Sequence, residues 1–216
     1  MTKNQLLVVL AAFFLAVGGL AAYLWMGGES GAAGRADAGY TLEATDRVLG
    51  NRQAKVVLIE YASPTCGACA AFHEQGMPTI KANYIDTGKI LFIFRIYPRN
   101  PADGGAEKVG RCLPEDKYFA FIDLLFRNQT LWAGNDVHGG LVRLGRMAGL
   151  GAEQVDQCIN NTAEDSRINA VGAEAERRYG QIATPTFILN GTKLNAVSPA
   201  ELTKLIDAEL AKSSAQ

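Results

Sequence analysis

The hydrophobic pattern changes character several times along the chain. From Leu6 to Met26 no charged residue interrupts an apolar stretch, and about 20 residues suffice to cross the ~30 Å hydrocarbon core of a bilayer. Tyr23 and Trp25 stand at its far end, where aromatic rings favour the membrane–water boundary. The pattern predicts a transmembrane helix acting as an anchor within residues 1–26. A cleaved signal peptide is the alternative, but its apolar region usually spans only ~7–15 residues with a small-residue cleavage site close behind. Here Ala36-Asp37-Ala38 lies far from the end of the stretch. Either reading exports the rest of the chain. Residues 27–45, rich in Gly, Ala and Ser at their start, have no apolar period and read as a flexible linker.

Beyond the linker the pattern is that of an α/β protein. Lys55 to Tyr61 is short, β-branched and almost wholly apolar, as a strand buried on both faces requires. Ala62-Ser63-Pro64-Thr65 breaks it, and a helix is predicted to start at or just before Cys66. Pro78 is expected to kink or restart that helix, because proline lacks the ladder donor and clashes with the preceding turn. Ile90 to Ile96 is a second strand, completing a β-α-β unit whose strands should run parallel. Residues 101–180 read as mostly helical. Tyr118, Phe121, Ile122, Leu125 and Phe126 hold helical spacing, as do Leu141, Leu144 and Met147 more loosely. A helix over Ala163 to Tyr179 should end at Gly180. Thr186 to Leu189 reads as a strand, and Asn190-Gly191 is the dipeptide favoured in a two-residue hairpin to Thr192-Lys193-Leu194. Ser198-Pro199-Ala200-Glu201 is a capping box with proline at the first helical position, ahead of an apolar stripe of Leu202, Leu205, Ile206 and Leu210. The expected organisation is one α/β domain formed by residues 46–100 and 181–216, with the helical segment 101–180 inserted.

Composition narrows the function more by exclusion than by assertion. The 216 residues carry a formal net charge of −1, and 48% are hydrophobic. No run of Lys or Arg suggests a nucleic-acid partner. The chemistry lies in Cys66-Gly67-Ala68-Cys69. At a helix start the first thiol meets unpaired backbone N–H groups and the positive end of the helix dipole, which stabilise a thiolate. Cys69, one turn further in, is then the more buried, resolving thiol. Half of a zinc site and a purely structural pair are the other readings of such a motif. No second C-x-x-C or H-x-x-H accompanies it, so no metal and no cofactor is expected. His73 lies about two turns from Cys66 and reads as a surface or supporting residue.

Taken with Ala183-Thr184-Pro185-Thr186-Phe187 and with Glu60-Tyr61-Ala62-Ser63 ahead of the cysteines, the chain from Asp46 to Ala211 resembles the DsbA-type disulfide oxidoreductases of the thioredoxin superfamily. That resemblance implies a thioredoxin-like fold with an inserted helical subdomain. It implies a cis peptide at Pro185 packed against the redox pair, and a Thr184 backbone that pairs with substrate in the mixed disulfide. Glu60 matches the position of a buried acid that passes a proton to and from Cys69. On its own, Pro185 would mark only the start of an edge strand, and Glu60 only a strand-end side chain reaching solvent. Some relatives carry a second disulfide in the helical block, which implies a bridge between Cys112 and Cys158 in an oxidising compartment.

The implied function is to introduce disulfides into exported proteins from the bacterial periplasm. The fold would be anchored to the inner membrane, and a membrane redox partner would reoxidise the pair. One departure bears on direction: strong oxidants of this type often carry Pro-His between the cysteines, and here the dipeptide is Gly67-Ala68. A less oxidising disulfide is expected, so a reductase or isomerase is the alternative. From other classes, a copper chaperone would use the thiols as soft ligands, and a non-catalytic binding module would not use them at all.

Overall fold

The two apolar runs, Val56–Ala62 (β2) and Ile90–Ile96 (β3), form the centre of a five-stranded sheet and are buried along their whole length. The computed structural model describes residues 40–214. The predicted anchor over Leu6 to Met26 lies outside the described residues, and among the described residues no helix is long and apolar enough to cross a membrane. The chain divides after Ala44, and the unit beginning at Thr45 carries the fold.

Strand order is β1-β3-β2-β4-β5, where β1 is Arg47–Gly50, β4 Thr186–Leu189 and β5 Thr192–Leu194. β2 and β3 pair in parallel from Val56 against Ile90 to Ala62 against Ile96, and every other pairing is antiparallel. β1 has no counterpart among the expected elements. Three half-buried residues and an exposed glycine are too few to display a period, and it is its pairing with β3, Val48 opposite Ile93, that makes it a strand. It closes at Gly50, whose φ of +90° and 2.4 Å approach to the Ile90 carbonyl from an added Cβ leave room only for glycine.

Between β2 and β3 lie helix α1 (Gly67–Gln75), the short α2 (Met77–Ile80) and a π-helical turn over Lys81–Ile85. Pro78 falls in the first turn of α2, so the break expected there is a restart one residue after α1 ends. Six helices separate β3 from β4: α3 (Pro101–Cys112), α4 (Glu115–Arg127), α5 (Gln129–Trp132), α6 (Val137–Met147), α7 (Ala152–Ile159) and α8 (Ala163–Tyr179). The chain ends in α9 (Pro199–Ser214), whose start has reciprocal bonds between Ser198 and Glu201, each 3.2 Å from N–H to side chain.

Alternation along the strands gives the sheet two buried faces. Leu58, Phe92, Phe94 and Phe187 on one face join a continuous core with Phe72 of α1, Phe121 and Phe126 of α4, and Leu202 and Ile206 of α9. On the other, Tyr61 meets Tyr179 of α8 with ring centroids 6.2 Å apart, and Arg95 donates from Nε and Nη2 to the two oxygens of Asp46 at 2.9 and 2.7 Å. Two positions of the expected apolar stripes turn outward. Met147 is 66% exposed at the last turn of α6 and Leu205 is 37% exposed on α9. Each lies at the margin of its helix's apolar stripe, and the period alone does not say how far round the helix the buried face extends.

Cys112, the last residue of α3, and Cys158 of α7 are joined by a disulfide across 46 residues of sequence, with Cα atoms 6.1 Å apart. Restricting a loop of that length in the unfolded chain stabilises by about 2–4 kcal/mol. The double substitution Cys112→Ser, Cys158→Ser is therefore expected to lower the free energy of unfolding by that amount, read from denaturant midpoints at constant m-value, and to leave the alkylation rate of Cys66 unchanged.

Candidate active site

Helix α1 begins where the sheet ends. β2 stops at Ala62, the Cys66 N–H donates to the Ser63 carbonyl at 2.9 Å, and Cys66 takes the N-cap position with φ −81° and ψ 119°. A cysteine is an unusual N-cap, because Ser, Thr, Asp and Asn serve better as acceptors. Here the Cys66 sulfur accepts the Cys69 N–H at 3.4 Å, and the thiol donates to the Thr184 carbonyl at 3.3 Å. Both cysteines are free, Cys66 being 5% exposed and Cys69 fully buried, while Gly67 and Ala68 between them are exposed. The peptide bond between Thr184 and Pro185 is cis.

The environment separates the two thiols. Burial opposes ionisation of Cys66. Hydrogen bonding with Thr184 and Cys69 and with the backbone N–H groups of Cys69 and Ala68 outweighs it, and the pKa falls below the ordinary cysteine value. Cys69 moves the other way: burial first, then the carboxylate of Glu60 and the bond to Cys66, push its pKa far up. The arrangement can therefore present one ionised, reachable sulfur while holding its neighbour protonated.

Two side chains from the helical block fix the loop that presents Cys66. Asp103, fully buried in the first turn of α3, accepts the Thr65 N–H at 2.8 Å and the Ser63 hydroxyl at 2.9 Å; it also accepts the Arg99 and Asn100 N–H groups at 2.8 and 3.3 Å. Gln129, at the start of α5, donates to the carbonyls of Pro64 at 2.7 Å and Cys66 at 3.0 Å. The sequence carries a faint signal for the first, since Asn100-Pro101-Ala102-Asp103 has the form of a helix start with a reciprocal cap. It carries none for Gln129.

Glu60 is fully buried on the sheet face beneath α1, and its Oε2 lies 3.0 Å from Nε2 of His73. His73 is thus not a surface residue: at 3% exposure it lies flat against Phe126, with centroids 4.0 Å apart, and edge-on to Phe72 and Phe94. The fourth position after Cys69 on α1 faces the same core as Cys69, a consequence of helical geometry that a polar residue type conceals. Alongside Thr184 and Pro185 runs a groove of about 610 Å³, lined among others by Ala68, Phe72, Phe187, Leu194 and Val197.

Comparison with known proteins places this arrangement. The family model that matches residues 42–208 is described as Thioredoxin. A Rickettsia prowazekii protein, provisionally named a protein-disulfide oxidoreductase, is 30% identical over 173 residues, which make up 79% of this chain and 64% of that protein. The chain thus spans less than two thirds of the length of that relative. The crystal structure of Wolbachia pipientis alpha-DsbA1 matches with a TM-score of 0.75 at 29% identity, over 81% of this chain and 95% of that one. Oxidised BdbD from Bacillus subtilis matches at a TM-score of 0.69 and 22% identity, over 77% and 93% of the two chains, a likeness of fold alone.

The opposed shifts of the two thiols fix how the reduced protein responds to pH. Cys66 ionises at lower pH folded than unfolded, so its contribution to stability is present at high pH and is lost as pH falls through its folded pKa. Cys69 keeps a proton that the unfolded chain releases near pH ~8.5, so its contribution is present below that value and is lost above it. The denaturant midpoint of reduced protein is expected to rise with pH and then fall beyond about 8.5, as urea titrations between pH 6 and 10 will show. Iodoacetamide should label Cys66 alone, with a midpoint below that of a free cysteine.

Proposed function

The chain belongs to the thioredoxin family, and on that premise we propose that it is a thiol–disulfide oxidoreductase introducing disulfides into exported proteins through Cys66 and Cys69. The observation that carries this reading is the position of the Cys66 sulfur: at the N-cap of α1, 3.3 Å from the carbonyl of Thr184 and beside a cis proline. A nucleophilic sulfur there is both easily ionised and a good leaving group.

In the oxidised enzyme, a substrate thiolate attacks Cys66. The bond between Cys66 and Cys69 breaks, its electron pair passes to Cys69, and a mixed disulfide forms on Cys66. A second substrate thiolate then attacks its own bonded sulfur, and Cys66 leaves as a thiolate. The substrate loses two electrons and the pair gains them. Thr184 precedes the paired part of β4, whose registers with β2 and β5 begin at Thr186 and Phe187. Its backbone is therefore offered to an extended substrate segment in the groove. The apolar lining supplies affinity for an unfolded, partly hydrophobic chain. Glu60, buried beneath Cys69 and raising its pKa, acts as the group that gives Cys69 its proton on reduction and removes it on reoxidation.

The uncharged run from Leu6 to Met26 supports an inner-membrane anchor with the fold in the bacterial periplasm, where a membrane redox partner would reoxidise the pair. One observation favours a second reading, a tethered reductase or isomerase. Gly67 and Ala68 are exposed and place no positive charge beside the Cys66 thiolate.

The glutathione redox equilibrium of Cys66 and Cys69 separates the two. A donor of disulfides is expected to come to balance near the ~−120 mV of the strongest known oxidase, an isomerase near ~−180 mV and a reductase near the ~−270 mV of thioredoxin. Cys66→Ser should abolish peptide-dithiol oxidation, whereas Cys69→Ser, whose Cys66 thiolate can attack a peptide disulfide and release one peptide thiolate but lacks the resolving thiol, should accumulate the mixed disulfide with an oxidised peptide. Normal turnover by Cys66→Ser would falsify the mechanism.

A further inference from the structure

A buried thiolate cannot wait for a proton, and Glu60 alone has no visible way to obtain one. It is fully buried, its Oε1 has no hydrogen-bond partner among the described residues, and it sits on a central strand between Phe94 and Phe187. Its Oε2 faces one polar group, Nε2 of His73 at 3.0 Å. The same imidazole lines a second cavity of about 520 Å³, on a different flank of α1 from the substrate groove. The other lining residues of that cavity include Met77, Pro78, Phe119 and Ile122. Its charged groups are Lys81 with Asp86 from the π-helical turn, and Asp116 and Asp123 with Arg127 from α4. Lys81 is paired with Asp86 and Arg127 with Asp123, and these four side chains are 44–52% exposed, so the cavity opens to bulk water at its rim. From the other sides β3 and α4 place the rings of Phe94 and Phe126 against the imidazole.

We propose that His73 is the outer half of the relay that serves Cys69, carrying protons between Glu60 and water in this second cavity. The inference rests on the reading of Glu60 as the proton donor and acceptor of Cys69, and extends it by naming the route. When a substrate thiolate opens the disulfide, the electron pair lands on Cys69 and the Glu60–His73 pair gives up one proton to it. Water in the cavity returns one proton to the pair through the imidazole. On reoxidation the proton retraces the path: Cys69 yields it to the pair as its sulfur attacks, and the imidazole releases it to the cavity. No step needs a charge left alone in the core, where an unpaired ion is costly. The three rings around His73 hold the imidazole plane in one orientation, so transfer needs no search. The route also runs on the flank away from the substrate groove, so it stays open while a substrate occupies Thr184 and Pro185. His73 acts on Cys69 only through Glu60 and is in this sense a positioning and conducting residue.

The test is the pH dependence of single-turnover exchange between the full-length chain and a dithiol peptide, following release of Cys69 by quenched mass analysis. Three variants are compared with wild type: Glu60→Gln, His73→Gln and His73→Ala. A positioned acid–base group contributes about 10²–10⁴-fold. His73→Gln keeps a donor for Glu60 but cannot conduct, and is expected to slow the Cys69 step at least tenfold and flatten its pH profile. The alkylation midpoint of Cys66 should stay where it is. His73→Ala opens the site to the cavity, and added imidazole should restore its rate while pyrazole, of the same shape but nearly non-basic, should not. A His73→Gln protein with wild-type rate and pH profile, beside a slowed Glu60→Gln, would overturn the route and leave the Glu60 reading standing. A slowed His73→Gln that keeps the wild-type pH profile, with no imidazole rescue of His73→Ala, would reduce His73 to packing and also overturn it. A wild-type Glu60→Gln would remove the Glu60 reading, and the route with it.

Discussion

Two thiols three residues apart must behave as opposites, and the first turn of α1 is where that requirement is met. Through its first turn a helix has backbone donors without intrahelical partners, and the side chain at the N-cap is the one placed to accept from them. Cys66, at the cap, has the Cys69 N–H within 3.4 Å of its sulfur, whereas Cys69 faces the core and the Glu60 carboxylate. The same three-residue step that lets the sulfurs bond therefore also sorts them into an ionisable one and a proton-bound one. The rest of the fold keeps this turn in place. The parallel pairing of β2 with β3 forces a crossover, α1 is that crossover, and its N-terminus falls at the carboxyl end of β2. Antiparallel β4 then brings Thr184 back to the same end of the sheet.

The helical block is tied to that turn by more than packing. Asp103 accepts from Ser63 and Thr65 of one loop and from Arg99 and Asn100 of another, so a single buried carboxylate joins the chain after β2 to the chain after β3. Such a group is stable in the interior because four donors replace its water. Gln129 does the same from α5, holding the carbonyls of Pro64 and Cys66. The site is thus clamped from two separate helices of the block, and a displacement of either would be felt at the Cys66 sulfur before it reached the sheet. The disulfide between α3 and α7 stiffens the helix that carries Asp103. Its effect on the centre is indirect.

Much of this is legible in the residues because the signals are local. The apolar runs of β2 and β3, the Asn190-Gly191 turn with φ values of 45° and 81°, and the reciprocal cap of α9 each depend on neighbours within a few positions. So does the redox pair, whose residue types and spacing are adjacent. What escapes reading depends on contacts made at a distance. β1 is a strand only because β3 pairs with it. His73 looks like a polar helix residue until Phe94, Phe126 and Glu60 surround it. Gln129 lies 63 residues from the carbonyl of Cys66 that it holds, and no pattern of period 2 or 3.6 spans such a separation. Met147 and Leu205 err the other way: the period is correct, but both side chains fall outside the buried face.

The redox poise of the pair follows from what surrounds Cys66 and what does not. One pKa unit of thiolate stabilisation is about 1.4 kcal/mol, and for a two-electron couple that corresponds to about 30 mV. The groups that lower the Cys66 pKa are neutral: Thr184, Cys69 and two backbone amides. A hydrogen bond from a neutral donor stabilises an anion less than a nearby cation does, and the exposed Gly67-Ala68 dipeptide contributes no cation. The redox poise is therefore set by neutral hydrogen-bonding groups, Thr184, Cys69 and the backbone of the first turn, together with the cost of burying Cys69 as a thiol beside Glu60. Burial of Cys69 favours the protonated form over the thiolate without opposing the disulfide, which carries no charge. The centre is consequently poised by its geometry more than by its charges, and the loop clamps from Asp103 and Gln129 are what preserve that geometry.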